Sequence, residues 1–151
     1  MKRESTGSPC VSGPDQPIRP DNRLETRRWF AIVEEDLDVA TAAMRLSRLG
    51  ASAYHVQQAG EKLIKALLVL AGEPFRSGHD LDDLASRLAP VYPQFARQAE
   101  TVRRLSVWGT AYRYPSLEDE PEPLPEIEEL EQTIDMSAEF AAMVGSFIDG
   151  E

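Results

Sequence analysis

Four polar side chains, Tyr54, Gln58, Glu61 and Lys65, recur at intervals of three and four residues. At about 100° per residue, that spacing sets them in one narrow line along a helix. His55 and Lys62 flank the line on one side and Gln57 lies on the other, while Val56, Leu63 and Leu67 form the opposite, apolar stripe. The set offers an aromatic face for stacking, amides that donate and accept, an imidazole that titrates near neutrality and cations for phosphate. The plain alternative is a solvated face on which Glu61 and Lys65 form a helix-stabilising pair of about 0.3 kcal/mol. An aromatic, a histidine and two adjacent glutamines are a costly choice for a face that meets only water. The line is therefore expected to be wet, and to contact a ligand or a second subunit.

Other chemistries have too few residues to build on. The chain holds one cysteine, Cys10, and two histidines, His55 and His79, which cannot assemble a disulfide or a metal cluster. No phosphate-binding glycine loop and no nucleophile elbow is present. The expectation is no metal and no cofactor. His79 stands beside Asp80 at the start of an apolar-periodic segment, where capping explains the pair. The run LEDEPEPLPEIEELEQ reads as a solvated linker and an acidic helix face, and Phe95 and Trp108 as core or interface rather than a base-stacking array.

The elements that must position these residues are helical. Residues 1–21, rich in Ser, Gly and Pro, lack periodic apolar positions and read as a disordered leader, with the bundle spanning 22–149. Asp21 or Asn22 caps a first helix running through Trp29, Ile32, Val33, Leu37, Ala40, Met44 and Leu46 to about Gly50. A second runs from about Ala51 to Ala71 and stops at Gly72, with Pro74 beyond. A short third helix, capped by His79 or Asp80, buries Leu81, Leu84, Ala85 and Leu88 before Pro90 and Pro93 punctuate the chain. A fourth is predicted from about Pro93 toward Tyr112, then a proline-rich linker over YRYPSLEDEPEPLP. The fifth places Ile127, Leu130, Ile134, Ala138, Ala141 and Val144 on one side, with Glu126, Glu128 and Glu129 at its dipole-positive start. No strand and no repeat is predicted, so the chain is all-α.

Charge is segregated. Residues 1–28 sum to +2, residues 29–117 to 0, and residues 118–151, with twelve acidic and no basic side chains, to -12. A nucleic-acid backbone is repelled by the last segment, yet the balanced middle can carry a local basic patch. The apolar run Leu67–Ala71 is far shorter than the roughly 20 residues of a membrane span, and the start shows no signal-peptide pattern. Cysteine usage points to a reducing, cytoplasmic setting.

The string AYHVQQAGEKLIKALLVLAG, then GHDLDDL after a short loop, then YRYP after the next long helix, resembles the HEPN family (higher eukaryotes and prokaryotes nucleotide-binding) over roughly Thr26 to Phe147. The resemblance implies an up-and-down bundle of about five helices, usually homodimeric and often paired with a minimal nucleotidyltransferase in a toxin–antitoxin-like system. It implies a nucleotide or RNA ligand, for which Tyr54, His55, Gln58, Glu61, Lys62 and Lys65, with Arg113 and Tyr114 closing one end, form the candidate binding or dimer face. Many members are metal-independent ribonucleases that use an arginine followed four to six residues later by a histidine, late in the bundle. Here the late arginine is Arg113, and the residues at matching offsets are Leu117, Glu118 and Asp119. His55 lies seven positions after Arg48, with six residues between, but across a turn between the first two helices, which is not where the family keeps its motif. The expectation is thus a non-catalytic accessory or partner module, with a ribonuclease of degenerate Arg/His site as the alternative.

Overall fold

The computed structural model describes residues 18–75, 80–113, 115 and 121–150. Its elements are α1 (Pro20–Arg45), α2 (Leu49–Ala71), α3 (Leu81–Val91), α4 (Ala96–Arg103) and α5 (Ile127–Ile148), with single 3-10 turns at Pro93–Phe95 and Ser106–Gly109. No strand occurs among the described residues, and the all-α bundle expected from periodicity is the fold.

α1 and α2 pair as an antiparallel hairpin joined by Leu46, Ser47 and Arg48. The first helix ends earlier than predicted, at Arg45 rather than near Gly50, because a Schellman turn closes it there. Arg48 N donates to Ala43 O (2.8 Å) and Ser47 N to Met44 O (2.9 Å). Ser47 takes the left-handed position at φ 57°, which glycine usually occupies. Gly50 is inside α2. At the other end of that helix, Gly72 holds φ 72° and Glu73 N reaches Leu68 O at 2.9 Å, as the glycine before Pro74 indicated.

The beginning of α1 also departs from expectation. Arg19 is the N-cap, without a side-chain hydrogen bond, and Pro20 opens the helix, where its missing N–H costs nothing. Ile18 packs against the main core, so ordered structure begins before residue 22; residues 1–17 of the expected leader lie outside the described residues. Asp80 caps α3 by accepting from Asp83 N at 3.1 Å, while His79 lies outside the described residues. Pro90 is accommodated in the last turn of α3 rather than ending it.

The predicted fourth helix is broken in two: α4 is only 8 residues long and gives way to the Ser106–Gly109 turn. That change of path turns Trp108 into a second core cluster with Ala40, Ala53, Val56, Leu130 and Ile134. In α5 the buried line is Leu130, Ile134, Ser137, Phe140, Ala141, Val144 and Ile148; Ile127 and Ala138 face outward, contrary to expectation. Ile32 on α1 and Leu46, just beyond its end, are likewise exposed. The linker is tied down by Tyr112, whose hydroxyl donates to Pro123 O at 2.6 Å.

The main core gathers Leu63, Ile64, Leu67, Leu68 and Leu70 of α2 against Val33, Leu84, Leu88, Val102, Phe140 and Val144. α2 is its axis. At Gly60 a Cβ would fall 2.8 Å from Val102 Cγ2, so the missing side chain is what lets α4 approach. Two buried hydroxyls stitch the hairpin, Thr26 Oγ1 to Ala66 O (3.3 Å) and Ser52 Oγ to Ala40 O (2.8 Å). None of the described helices is long and apolar enough to cross a membrane.

Two stability predictions follow from these details. Ser47→Gly relieves the left-handed strain and should raise stability by about 0.5–1 kcal/mol, read as a higher thermal midpoint. Tyr92 is buried among Phe95 and Phe147, and its hydroxyl has no hydrogen-bond partner among the described residues. Burial pushes this phenol from 10.0 up to about 12, with nearby Arg23 opposing. The folded state thus holds the proton longer than the unfolded one, so stability should fall as pH rises from 10.0 to about 12. Tyr92→Phe should lose that alkaline component in denaturant titrations and be at least as stable near neutral pH.

Candidate functional site

Of the 23 residues in α2, 15 are buried, and they include Gln57, Glu61 and Lys65. The line expected to be wet is therefore covered for most of its length. The reason is α2's central position: α1 and α5 pack on it, as do α3, α4 and the Ser106–Gly109 turn. Tyr54 and Gln58 remain half-buried at the N-terminal end, and the line descends from there to Glu61 at 3% exposure and Lys65 at 5%.

The polar residues of α2 sort into three neighbourhoods. His55 and Lys62, the flank predicted on one side, both reach α1. His55 Nδ1 lies 3.0 Å from Asp36 Oδ1, and Lys62 Nζ donates to Asp36 Oδ2 at 2.6 Å. Asp36 itself is 8% exposed. A carboxylate that accepts from Lys62 on one oxygen accepts from the imidazole on the other, so the Nδ1–H of His55 donates to Asp36 and fixes the ring's orientation.

Gln57, on the opposite flank, turns to the Ser106–Gly109 segment. Its amide oxygen accepts from Gln58 Nε2 at 2.8 Å, and a Cβ at Gly109 would fall 2.7 Å from that same oxygen. Any side chain at Gly109 would displace the Gln57 amide from this position. Between the two lies a cavity of about 180 Å³, whose polar lining comes from Tyr54, Gln57, Gln58, Glu61, Ser106, Thr110 and Arg113. The Arg113 guanidinium sits over the Tyr54 ring, 5.6 Å from its centroid. Tyr54 also meets His55 edge-on at 5.1 Å, so one aromatic ring touches both the late arginine and the only described histidine. Tyr114 lies outside the described residues.

Deeper along the line, Lys65 Nζ and Glu61 Oε2 are 3.8 Å apart. Lys65 also lies 5.9 Å from the centroid of Trp29, whose ring packs edge-on against Phe75. These two charges belong to the interior rather than to an open face. Phe95 and Trp108 are both buried, as core residues.

The model of the HEPN domain matches residues 26–147. The chain belongs to the HEPN domain family. Comparison with curated proteins and with solved structures gives no match. Within this HEPN domain, no group of three or more His, Cys, Asp or Glu among the described residues could hold a metal ion. What the site offers is hydrogen bonding, stacking, a guanidinium and a carboxylate-oriented imidazole.

Sequence reasoning missed Asp36, which organises the His55 side of the site. A signal was present: Asp36 interrupts the apolar register Val33, Leu37, Ala40 with a carboxylate, and a charge on a buried stripe needs a partner. Gly109 and Thr110 were missed too, since the break in the fourth helix that brings them in leaves no periodic trace. Replacing Asp36 by Ala leaves Lys62 and His55 without their shared acceptor, and should cost roughly 2–4 kcal/mol in chemical denaturation. Asp36→Asn, which keeps one acceptor oxygen, should cost clearly less.

Proposed function

We propose that this HEPN domain is a non-catalytic binding module that takes a nucleotide or the end of an RNA strand in the Tyr54–Arg113 cleft. In this reading it acts as a homodimeric accessory or as the partner of a minimal nucleotidyltransferase, in a toxin–antitoxin-like pair. The observation that carries it is the Arg113 guanidinium over Tyr54 at the mouth of a cavity lined by amides and hydroxyls. Arginine meets phosphate in bidentate fashion, tyrosine presents a face to a base, and Gln58, Ser106 and Thr110 supply polar contacts. The absence of a histidine at the matching offsets after Arg113 supports binding over cleavage.

One observation favours the ribonuclease reading as an alternative. His55 and Arg113 both contact Tyr54, and the Asp36 contact occupies His55 Nδ1, which leaves Nε2 as the ring nitrogen available for proton transfer. Arg113 would then stabilise the phosphate while His55 moves the ribose hydroxyl proton.

Titration of purified protein with mononucleotides and short RNA separates the two. Under the binding reading, Arg113→Ala weakens association about tenfold or more, as expected for loss of a charge-assisted phosphate contact. His55→Ala leaves affinity near wild type, and RNA stays intact. RNA cleavage that disappears in His55→Ala would replace the binding reading with the catalytic one. Absence of both binding and cleavage would remove the cleft from consideration.

A further inference from the structure

Three large apolar side chains project from the side of α1 that faces away from α2: Leu24, Ile32 and Val39, at 53%, 43% and 44% exposure. Arg28, Ala31 and Glu35 are exposed among them. At about 100° per residue, all six fall within one 100°-wide stripe of the helix. Neither Arg28 nor Glu35 forms an ion pair among the described residues. The stripe thus combines three exposed large apolar side chains with one cation and one anion that have no ion-pair partner among the described residues.

The order of these residues is self-complementary when the helix is laid against a reversed copy of itself. With the dyad passing between Ala31 and Ile32, Leu24 stands opposite Val39, Arg28 opposite Glu35 and Ile32 opposite Ala31. Every opposing pair is then apolar with apolar or cation with anion, and each occurs twice, as a two-fold interface requires. A groove lined by Asp21, Leu24, Glu25, Arg28, Trp29 and Ile32 lies beside Leu24, the residue that Val39 of the second copy would face.

We propose that a second copy of this chain packs antiparallel on the outer face of α1, held by paired Leu24–Val39 contacts and two symmetric Arg28–Glu35 ion pairs. The proposal rests on the homodimer reading above and names the face that reading uses. It leaves the Tyr54–Arg113 cleft, which lies between α2 and the Ser106–Gly109 turn, outside the interface.

Sedimentation equilibrium of the full chain tests it. Wild type should be a dimer, and Arg28→Glu or Glu35→Arg alone should weaken association about tenfold or more, because each places like charges opposite one another twice. The double variant Arg28→Glu/Glu35→Arg restores the opposing signs and should recover most of the lost affinity. Val39→Asp, with helicity checked by circular dichroism, should be monomeric. A wild-type monomer at high micromolar concentration would overturn both this proposal and the homodimer reading. A dimer indifferent to all four variants, or a double variant no better than the singles, would overturn the α1 face and leave the homodimer reading standing.

Discussion

A helix packed around most of its circumference leaves few positions where a polar residue can meet water, and α2 is such a helix. Burying an amide, hydroxyl or charge without a partner costs several times what a typical hydrogen bond contributes, so each polar residue on α2 dictates something about the element packed against it. Ser52 requires a free carbonyl, supplied by Ala40. Lys62 requires an anion and His55 an acceptor for its ring N–H, and Asp36 serves both. Gln57 takes up the space that Gly109 leaves open. The positions of α1 and of the Ser106–Gly109 turn are thereby fixed by polar matching as much as by apolar packing.

The Glu61–Lys65 pair changes meaning in this setting. On a wet helix it would contribute a few tenths of a kcal/mol and could be exchanged freely. Buried as it is, with Trp29 beside the ammonium, its Coulomb attraction is stronger, but the cost of removing both ions from water consumes most of the gain. The pair adds little net stability; losing one member is what is expensive.

Much of the fold was legible because helices announce themselves by period and by their ends. The stop at Gly72, the cap at Asp80 and the acidic start of α5 were all read from local chemistry. The family itself was legible from three short strings, and the matched span of residues 26–147 agrees with them. What escaped was set by tertiary context. Periodicity marks Tyr54, Gln58, Glu61 and Lys65 as opposite to the Leu63 stripe, but it cannot tell whether the opposite side meets water or another helix. The broken fourth helix escaped for a related reason, since Leu105, Ser106 and Val107 contain no glycine or proline to forecast the change. Their path follows Trp108 into the core.

The cleft beside Tyr54 joins two walls of unequal stiffness. One is the N-terminal half of α2, a continuous α-helix of 23 residues. The other is built from Ser106, Gly109, Thr110 and Arg113, whose backbone is held by single-turn bonds such as Trp108 N to Leu105 O at 2.9 Å, Thr110 N to Val107 O at 3.3 Å and Arg113 N to Thr110 O at 3.4 Å. Short 3-10 turns of this kind have poorer hydrogen-bond geometry than α-helix and open at lower energy. The amides of Gln57 and Gln58 thus stay where the helix puts them, while the hydroxyls and the guanidinium can adjust to what enters. Such a cleft measures one side of its occupant strictly and accommodates variation on the other.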